Sequence, residues 1–190
     1  MRLSFIENQL FEKLDCTENE LEKGEYDNCT FQNCDFSNSS LSGYQFSNCE
    51  FISCNLTLCK IAHTSFNNVH FKDCKMVGIP FHSCNDFSLS ISFDNCILNQ
   101  SSFYKINLKK TDFKTSRLVE VDFSECDLSE ATFHESDLSG AIFDKTRLEK
   151  ADFRNALNYS IDPEKNKIKK ARFSLQGVKG LLTKYAIDIE

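Results

Sequence analysis

Large apolar residues recur at every fifth position along most of this chain. From Leu21 the series runs Leu21, Tyr26, Phe31, Phe36, Leu41, Phe46, Phe51, Leu56, Ile61, Phe66, Phe71, Met76 and Phe81, thirteen positions without a break. The phase then slips by two residues. It resumes as Phe93, Leu98, Phe103, Leu108, Phe113, Leu118, Phe123, Leu128, Phe133, Leu138, Phe143, Leu148 and Phe153, with Phe and Leu in strict alternation. Two places before each large residue the side chain is mostly small, as at Cys29, Cys34, Cys54, Thr64, Cys96, Ser116, Ala131 and Ala151. The remaining three positions are largely Asn, Asp, Ser, Lys and Glu. This period is neither that of a helix nor that of a strand. It suits a solenoid whose five-residue units each form one short side of a coil, with one large and one small residue inward and three polar residues outward.

Units such as Ala131-Thr132-Phe133-His134-Glu135, Ser136-Asp137-Leu138-Ser139-Gly140 and Ala151-Asp152-Phe153-Arg154-Asn155 resemble the A(D/N)LXX signature of pentapeptide-repeat proteins. That resemblance implies an all-β solenoid, a right-handed quadrilateral β-helix with four units per coil. Twenty-six clear units would then make about 6.5 coils and, at about 4.8 Å per rung, a rod about 31 Å long. Phe31, Phe36, Phe51, Phe71, Phe93, Phe103, Phe113, Phe123, Phe133, Phe143 and Phe153 are the expected structural core, stacked in ladders along the axis. An axial ring has little room around it to collapse, so Phe123→Ala should cost about 3–5 kcal/mol.

The repeat domain is expected over 1–174, with an N-terminal cap over 1–20, a register slip near 82–92 and a turn near 158–167. Phe81 and Phe93 are twelve residues apart where two units need ten. The surplus reads as a small bulge near 84–89, with Phe87 still inward. At the start, the phase extends back through Cys16, Phe11 and Ile6, which predicts a short strand or cap; a helix over 5–14 is the alternative. Near the end, Asp162-Pro163-Glu164-Lys165-Asn166 reads as a turn. Beyond it, Val178, Leu181, Leu182 and Tyr185 fall at helical spacing and predict a short amphipathic α-helix within 175–190. The stretch 176–185 is similar to the C-terminal segments of the Qnr-like quinolone-resistance group, through which those proteins pair. The resemblance implies a head-to-head homodimer with Val178, Leu181, Leu182 and Tyr185 at its interface.

Charge narrows the partners. The chain carries 22 Lys and Arg against 28 Asp and Glu, and residues 1–27 alone hold 3 basic and 8 acidic side chains. A protein that grips nucleic acid by counterion release needs a basic stripe, so direct nucleic-acid binding is not expected. No apolar run reaches the roughly 18–20 residues of a membrane span, and the N-terminus has no signal-peptide pattern. A cytoplasmic protein without membrane contact is the expectation.

Ten cysteines raise the question of metal or redox chemistry. Eight of them occupy the small inward slot, where free cysteine acts as a compact buried hydrophobe, and no pair of CxxC motifs is present. His63, His70, His82 and His134 fall at outward positions without ligand spacing. Gly-rich phosphate loops and the GxSxG and HExxH motifs are missing. A filled solenoid presents a convex rod, whereas catalysis uses a concave pocket. The expectation is a protein without catalytic residues, cofactor or metal. The Qnr-like resemblance implies a binding partner instead: a type II topoisomerase, DNA gyrase or topoisomerase IV, whose DNA site an acidic rod would occupy by mimicry. Asp112, Asp122, Asp127, Asp137 and Asp152 are the candidate partner-binding surface.

Overall fold

The computed structural model describes residues 4–189. Its strands are β1 (Ser4–Glu7), β2 (Leu10–Glu12), β3 (Gly24–Asp27), β4 (Thr30–Gln32), β5 (Gln45–Ser47), β6 (Glu50–Ile52), β7 (Ser65–Asn67), β8 (Val69–Lys72), β9 (Ile91–Asp94) and β10 (Phe113–Lys114). All ladders are parallel and join a residue to the one twenty places on, as in Tyr26 with Phe46 and Phe31 with Phe51, except across the insertion, where Phe71 pairs with Phe93 twenty-two places on. Isolated bridges carry the same pairing through the second half, from Ile97 with Arg117 to Asp152 with Arg172. Four units therefore close one coil. The chain is a β-solenoid with almost no helix. Among the described residues no helix is long and apolar enough to cross a membrane.

The register defines four faces, each named by its inward column of large residues. Face one runs from Ile6 through Tyr26, Phe46 and Phe66 to Leu108, Leu128, Leu148 and Ile168. Face two runs from Phe11 to Phe173, face three from Cys16 through Phe36 to Leu138, and face four from Leu21 through Phe81 to Phe143. Face two consists of phenylalanine alone: Phe11, Phe31, Phe51, Phe71, Phe93, Phe113, Phe133, Phe153 and Phe173 stack with ring centres 4.6–5.5 Å apart. A second ladder, Phe81, Phe103, Phe123 and Phe143, meets it edge-on. The strict Phe/Leu alternation of the sequence is this geometry: opposite faces carry Phe and the two between them carry Leu.

The outward residues follow equally local rules. The residue two places after most of the large ones turns the corner at positive φ, as at Asn33 (55°), Lys110 (65°) and Glu130 (64°), with Gly43, Gly78 and Gly140 at three such corners. Asn and Gly tolerate this region, and other side chains are strained in it. Where Asp or Asn precedes the large residue, its side chain mostly accepts the N–H two places on; Asp112 accepts the Thr132 hydroxyl instead. Ser37 N–H donates to Asp35 at 2.8 Å, Ser124 to Asp122 at 2.9 Å and Ser129 to Asp127 at 3.0 Å. The D/N of the repeat signature thus closes each turn as an Asx motif.

The structure decides one alternative and changes two expectations. Residues 5–14 form no helix; β1 and β2 pair with β3 and β4 as a rung of the solenoid, because Ile6 and Phe11 continue the inward phase. The two surplus residues lie between Asn85, which still pairs with Ser65, and Ile91, which pairs with Val69. They are pushed outward at the corner, and Phe87 is 82% exposed rather than inward, because the filled core has no place for an extra ring. The C-terminal segment is not an α-helix. It forms two 3₁₀ turns, Gly177–Leu181 and Thr183–Tyr185, and ends at Ala186 with φ 49°. Gly177 and Gly180 weaken an α-helix, and both lie against Tyr159 too closely for any side chain. Packing on the last coil takes precedence over helical spacing.

Candidate functional site

The inward positions of the rod are filled, so chemistry falls to its faces and ends. Face two carries a six-stranded sheet in the order β10-β9-β8-β6-β4-β2, continued past β10 by the bridges of Asp112 with Thr132 and Thr132 with Asp152. Outside its phenylalanines run two parallel rows one rung apart: Ser92, Asp112, Thr132, Asp152 before the rings and Asp94, Lys114, His134, Arg154 after them. Asp112, Lys114, Thr132, His134, Asp152 and Arg154 line a shallow groove of about 390 Å³. Lys114 bonds Asp94 at 3.2 Å, and the Thr132 hydroxyl donates to Asp112. Arg154 holds Asp152 through both carboxylate oxygens, with the shortest contact 2.7 Å. This Arg154 hydrogen bond is the main reason the Asp152 carboxyl ionises below its ordinary range. Arg154 thereby cancels much of the outward field of that carboxylate.

The five candidate aspartates do not share one surface. Asp112 and Asp152 stand on face two, Asp122 on face four, Asp127 on face one and Asp137 on face three. Asp127 is paired with Arg147 at 3.7 Å, and Asp137 accepts Ser139 and Asn158. Asp122, Asp127, Asp137 and Asp152 close their own turns before they face any partner. Lys114, His134 and Arg154 are the groove residues that sequence reasoning passed over. Counting in twenties the residue after each large one would have found them.

The C-terminal end carries a second concavity of about 990 Å³ between the last coil and the terminal segment, with Arg154, Tyr159, Gly177, Leu182 and Ile187 on its walls. Of the candidate interface residues, Val178 (39%) and Tyr185 (52%) are exposed, while Leu181 packs against the core and Leu182 is half-buried. The segment is pinned by Gly180 C=O accepting Ile161 N–H at 2.9 Å, and by Lys184 bonding Asp162 (2.8 Å) and Glu164 (2.7 Å). The Tyr185 hydroxyl donates to Glu164 at 3.2 Å.

All ten cysteines are free thiols. Cys34, Cys54, Cys74 and Cys96 form one inward column whose thiols donate to backbone carbonyls, Cys54 to Phe31 at 3.3 Å and Cys74 to Phe51 at 3.2 Å. Burial pushes Cys49 up to about 11 and holds Cys126 well above the ordinary thiol range. Thiols protonated in this way are poor nucleophiles and poor metal ligands. Among the described residues no three His, Cys, Asp or Glu side chains converge as a metal site.

A solid β-solenoid with polar faces and shallow surface grooves belongs to the class of repeat scaffolds. The chain belongs to the pentapeptide-repeat family: the family profile described as "Pentapeptide repeat region" matches residues 25–91 and 87–160. Among curated protein sequences, none matched. Solved structures similar to this chain include HetL, a pentapeptide repeat protein involved in heterocyst differentiation regulation from the cyanobacterium Nostoc. It is 15% identical, with 90% of this chain and 88% of that chain covered and a TM-score of 0.52. A trypsin-treated form of QnrB1, a plasmid-mediated fluoroquinolone resistance protein, is 21% identical over 98% of this chain and 100% of its own, with a TM-score of 0.48. A pentapeptide repeat protein of the Arabidopsis thaliana thylakoid lumen is 17% identical over 74% and 60%, with a TM-score of 0.25.

Proposed function

We propose that this chain is a non-catalytic scaffold that acts by binding another protein, and that the partner is a type II topoisomerase, DNA gyrase or topoisomerase IV. The observation that carries the binding role is face two, which bears two rows of polar side chains at rung spacing beside a shallow groove. Such an array gives a partner regularly spaced hydrogen-bond and charge contacts without rearrangement of the rod. The topoisomerase reading draws on the Qnr-like resemblance of the repeats and of the C-terminal stretch, with Asp112 and Asp152 as the carboxylates that face two offers. Leu175 (91%), Val178 and Tyr185 lie exposed at the C-terminal end and support self-association through that end.

A second reading has an observation of its own. Asp122, Asp127 and Asp137 lie on the other three faces, and Arg154 offsets Asp152, so the acidic field is divided. That division favours a scaffold whose partner is unrelated to DNA mimicry. A supercoiling assay separates the two: purified protein is titrated into gyrase from the same organism with and without a fluoroquinolone. Restored or inhibited supercoiling that Asp112→Lys abolishes supports the first reading. Gyrase unaffected at any ratio refutes it and leaves the unrelated partner, to be sought by pull-down on immobilised protein.

A further inference from the structure

The two ends of the rod are complementary in charge and backbone. At the N-terminal end, β1 and β2 each pair on one side only, as the outermost strands of their sheets. The open mouth, about 490 Å³, is lined by Ile6, Phe11, Leu14 and Leu21, all partly buried. Its rim carries Asp15, Glu20 and Glu22 against Lys13. At the other end, residues 165–184 contain seven Lys and Arg and no Asp or Glu. The C-terminal segment closes only part of this end, because its anchors are Ser160, Ile161, Asp162 and Glu164 on faces three and four. The last rungs of faces one and two end at Ile168 and Phe173, both partly buried, and the segment's anchors do not reach them.

Every lower rung shows how the next one would attach. The N–H of a large residue donates to the residue nineteen places on, as Phe153 does to Arg172 at 2.8 Å, and the corner residue donates likewise, as Lys150 does to Lys169 at 3.0 Å. The equivalent donors of the last rung are the amides of Ile168, Lys170 and Phe173. The equivalent acceptors of the first rung are the carbonyls of Phe5, Glu7 and Leu10, which face away from the rod. Such unpaired edges are templates for another chain.

We infer that a second copy of this chain seats its N-terminal mouth on this C-terminal end, so that the rods join head to tail. The assignment rests on self-association through the C-terminal end and adds its direction. Continuing the register across the junction places Phe173 beneath Phe11 of the next copy, which extends the phenylalanine ladder. It also places Ile168 beneath Ile6 and the Lys169 ammonium beside the Glu7 carboxylate. A head-to-head contact would instead bring Lys165, Lys167, Lys169 and Lys170 of one copy towards the same four of the other. Head-to-tail contacts are heterologous and do not close, so the assembly grows by concentration into longer rods.

Sedimentation velocity of the full chain over a wide concentration range tests this, with circular dichroism confirming that each variant is folded. The wild type is expected to pass beyond dimer as concentration rises, and to shorten with added salt. Glu7→Lys and Lys169→Glu should each weaken association by about tenfold. Mixing the two variants should restore it, since each then meets an opposite charge. If Leu181→Asp abolishes association while Glu7→Lys leaves it unchanged, the contact is head to head and the inference falls, although self-association stands. A wild-type monomer at all concentrations overturns both.

Discussion

Phe113→Ala tests the central physical claim, that the phenylalanine ladder cannot collapse around a hole. Phe113 is fully buried, stacks on Phe93 at 5.3 Å and on Phe133 at 5.1 Å, and meets Phe103 and Phe123 edge-on at 6.0 and 5.7 Å. Truncating a buried Phe costs about 3–5 kcal/mol, with the spread set by how far the site relaxes. Here relaxation is blocked by the backbone: Phe93 N–H donates to Asp112 at 3.0 Å and Phe113 N–H to Thr132 at 2.9 Å, holding the rungs apart. The ring also gives up stacked and edge-on partners worth about 0.5–1.5 kcal/mol per pair. The expected loss is therefore in the upper part of the range, about 4–5 kcal/mol. Phe11→Ala is the control. Phe11 is partly buried at the open mouth, with Phe31 its one ladder neighbour at 4.9 Å, and its loss should cost about 1–2 kcal/mol. Urea unfolding followed by far-ultraviolet circular dichroism measures both, with the m-value checked for constancy because solenoids can unfold in parts. Equal costs at the two positions, or a Phe113→Ala cost below about 2 kcal/mol, would show that the rungs close on the gap.

Three further outcomes follow from the geometry. Lys110 turns a corner at φ 65°, so Lys110→Val should cost about 1 kcal/mol and Lys110→Gly should be neutral or slightly stabilising; thermal melts of both variants check this. A Cβ at Gly180 would press on the Tyr159 ring at 2.8 Å and on its carbonyl oxygen, so Gly180→Ala should release the terminal segment without melting the rod. Faster trypsin cleavage after Lys179 and Lys184 at an unchanged urea midpoint is the expected result. Stability should also fall at both extremes of pH. Hydrogen bonds from Ser37 hold the Asp35 carboxyl below its ordinary 3.8, so its stabilisation is present above that value and lost as pH falls through the lower folded value. Burial raises Cys49 from 9.0 to about 11, so its stabilisation is intact below pH 9.0 and lost as pH rises through about 11. Melting temperature recorded from acid to alkaline pH should show both losses, and Cys49→Ala should reduce the alkaline slope.

The sequence alone determined the solenoid, its inward columns and its repeat length. Phe31 and Phe51 lie twenty residues apart because each side takes five residues and four sides close a coil, and that periodicity is written in every unit. The Asx role of Asp35 and the positive φ at Asn33 are equally local, set within one turn by a short side chain that can bond its own backbone. Tertiary structure decided the rest. Phe87 keeps an apolar identity at a position where a filled core leaves no space, so its exposure follows from packing elsewhere. Val178, Leu181, Leu182 and Tyr185 have helical spacing, yet contact between Tyr159 and two glycines imposes 3₁₀ turns. The faces of the five aspartates follow from counting in twenties, but that Arg154 holds Asp152 and Arg147 pairs with Asp127 is decided by the packed surface. Local chemistry sets each rung, and the way rungs stack sets the surface.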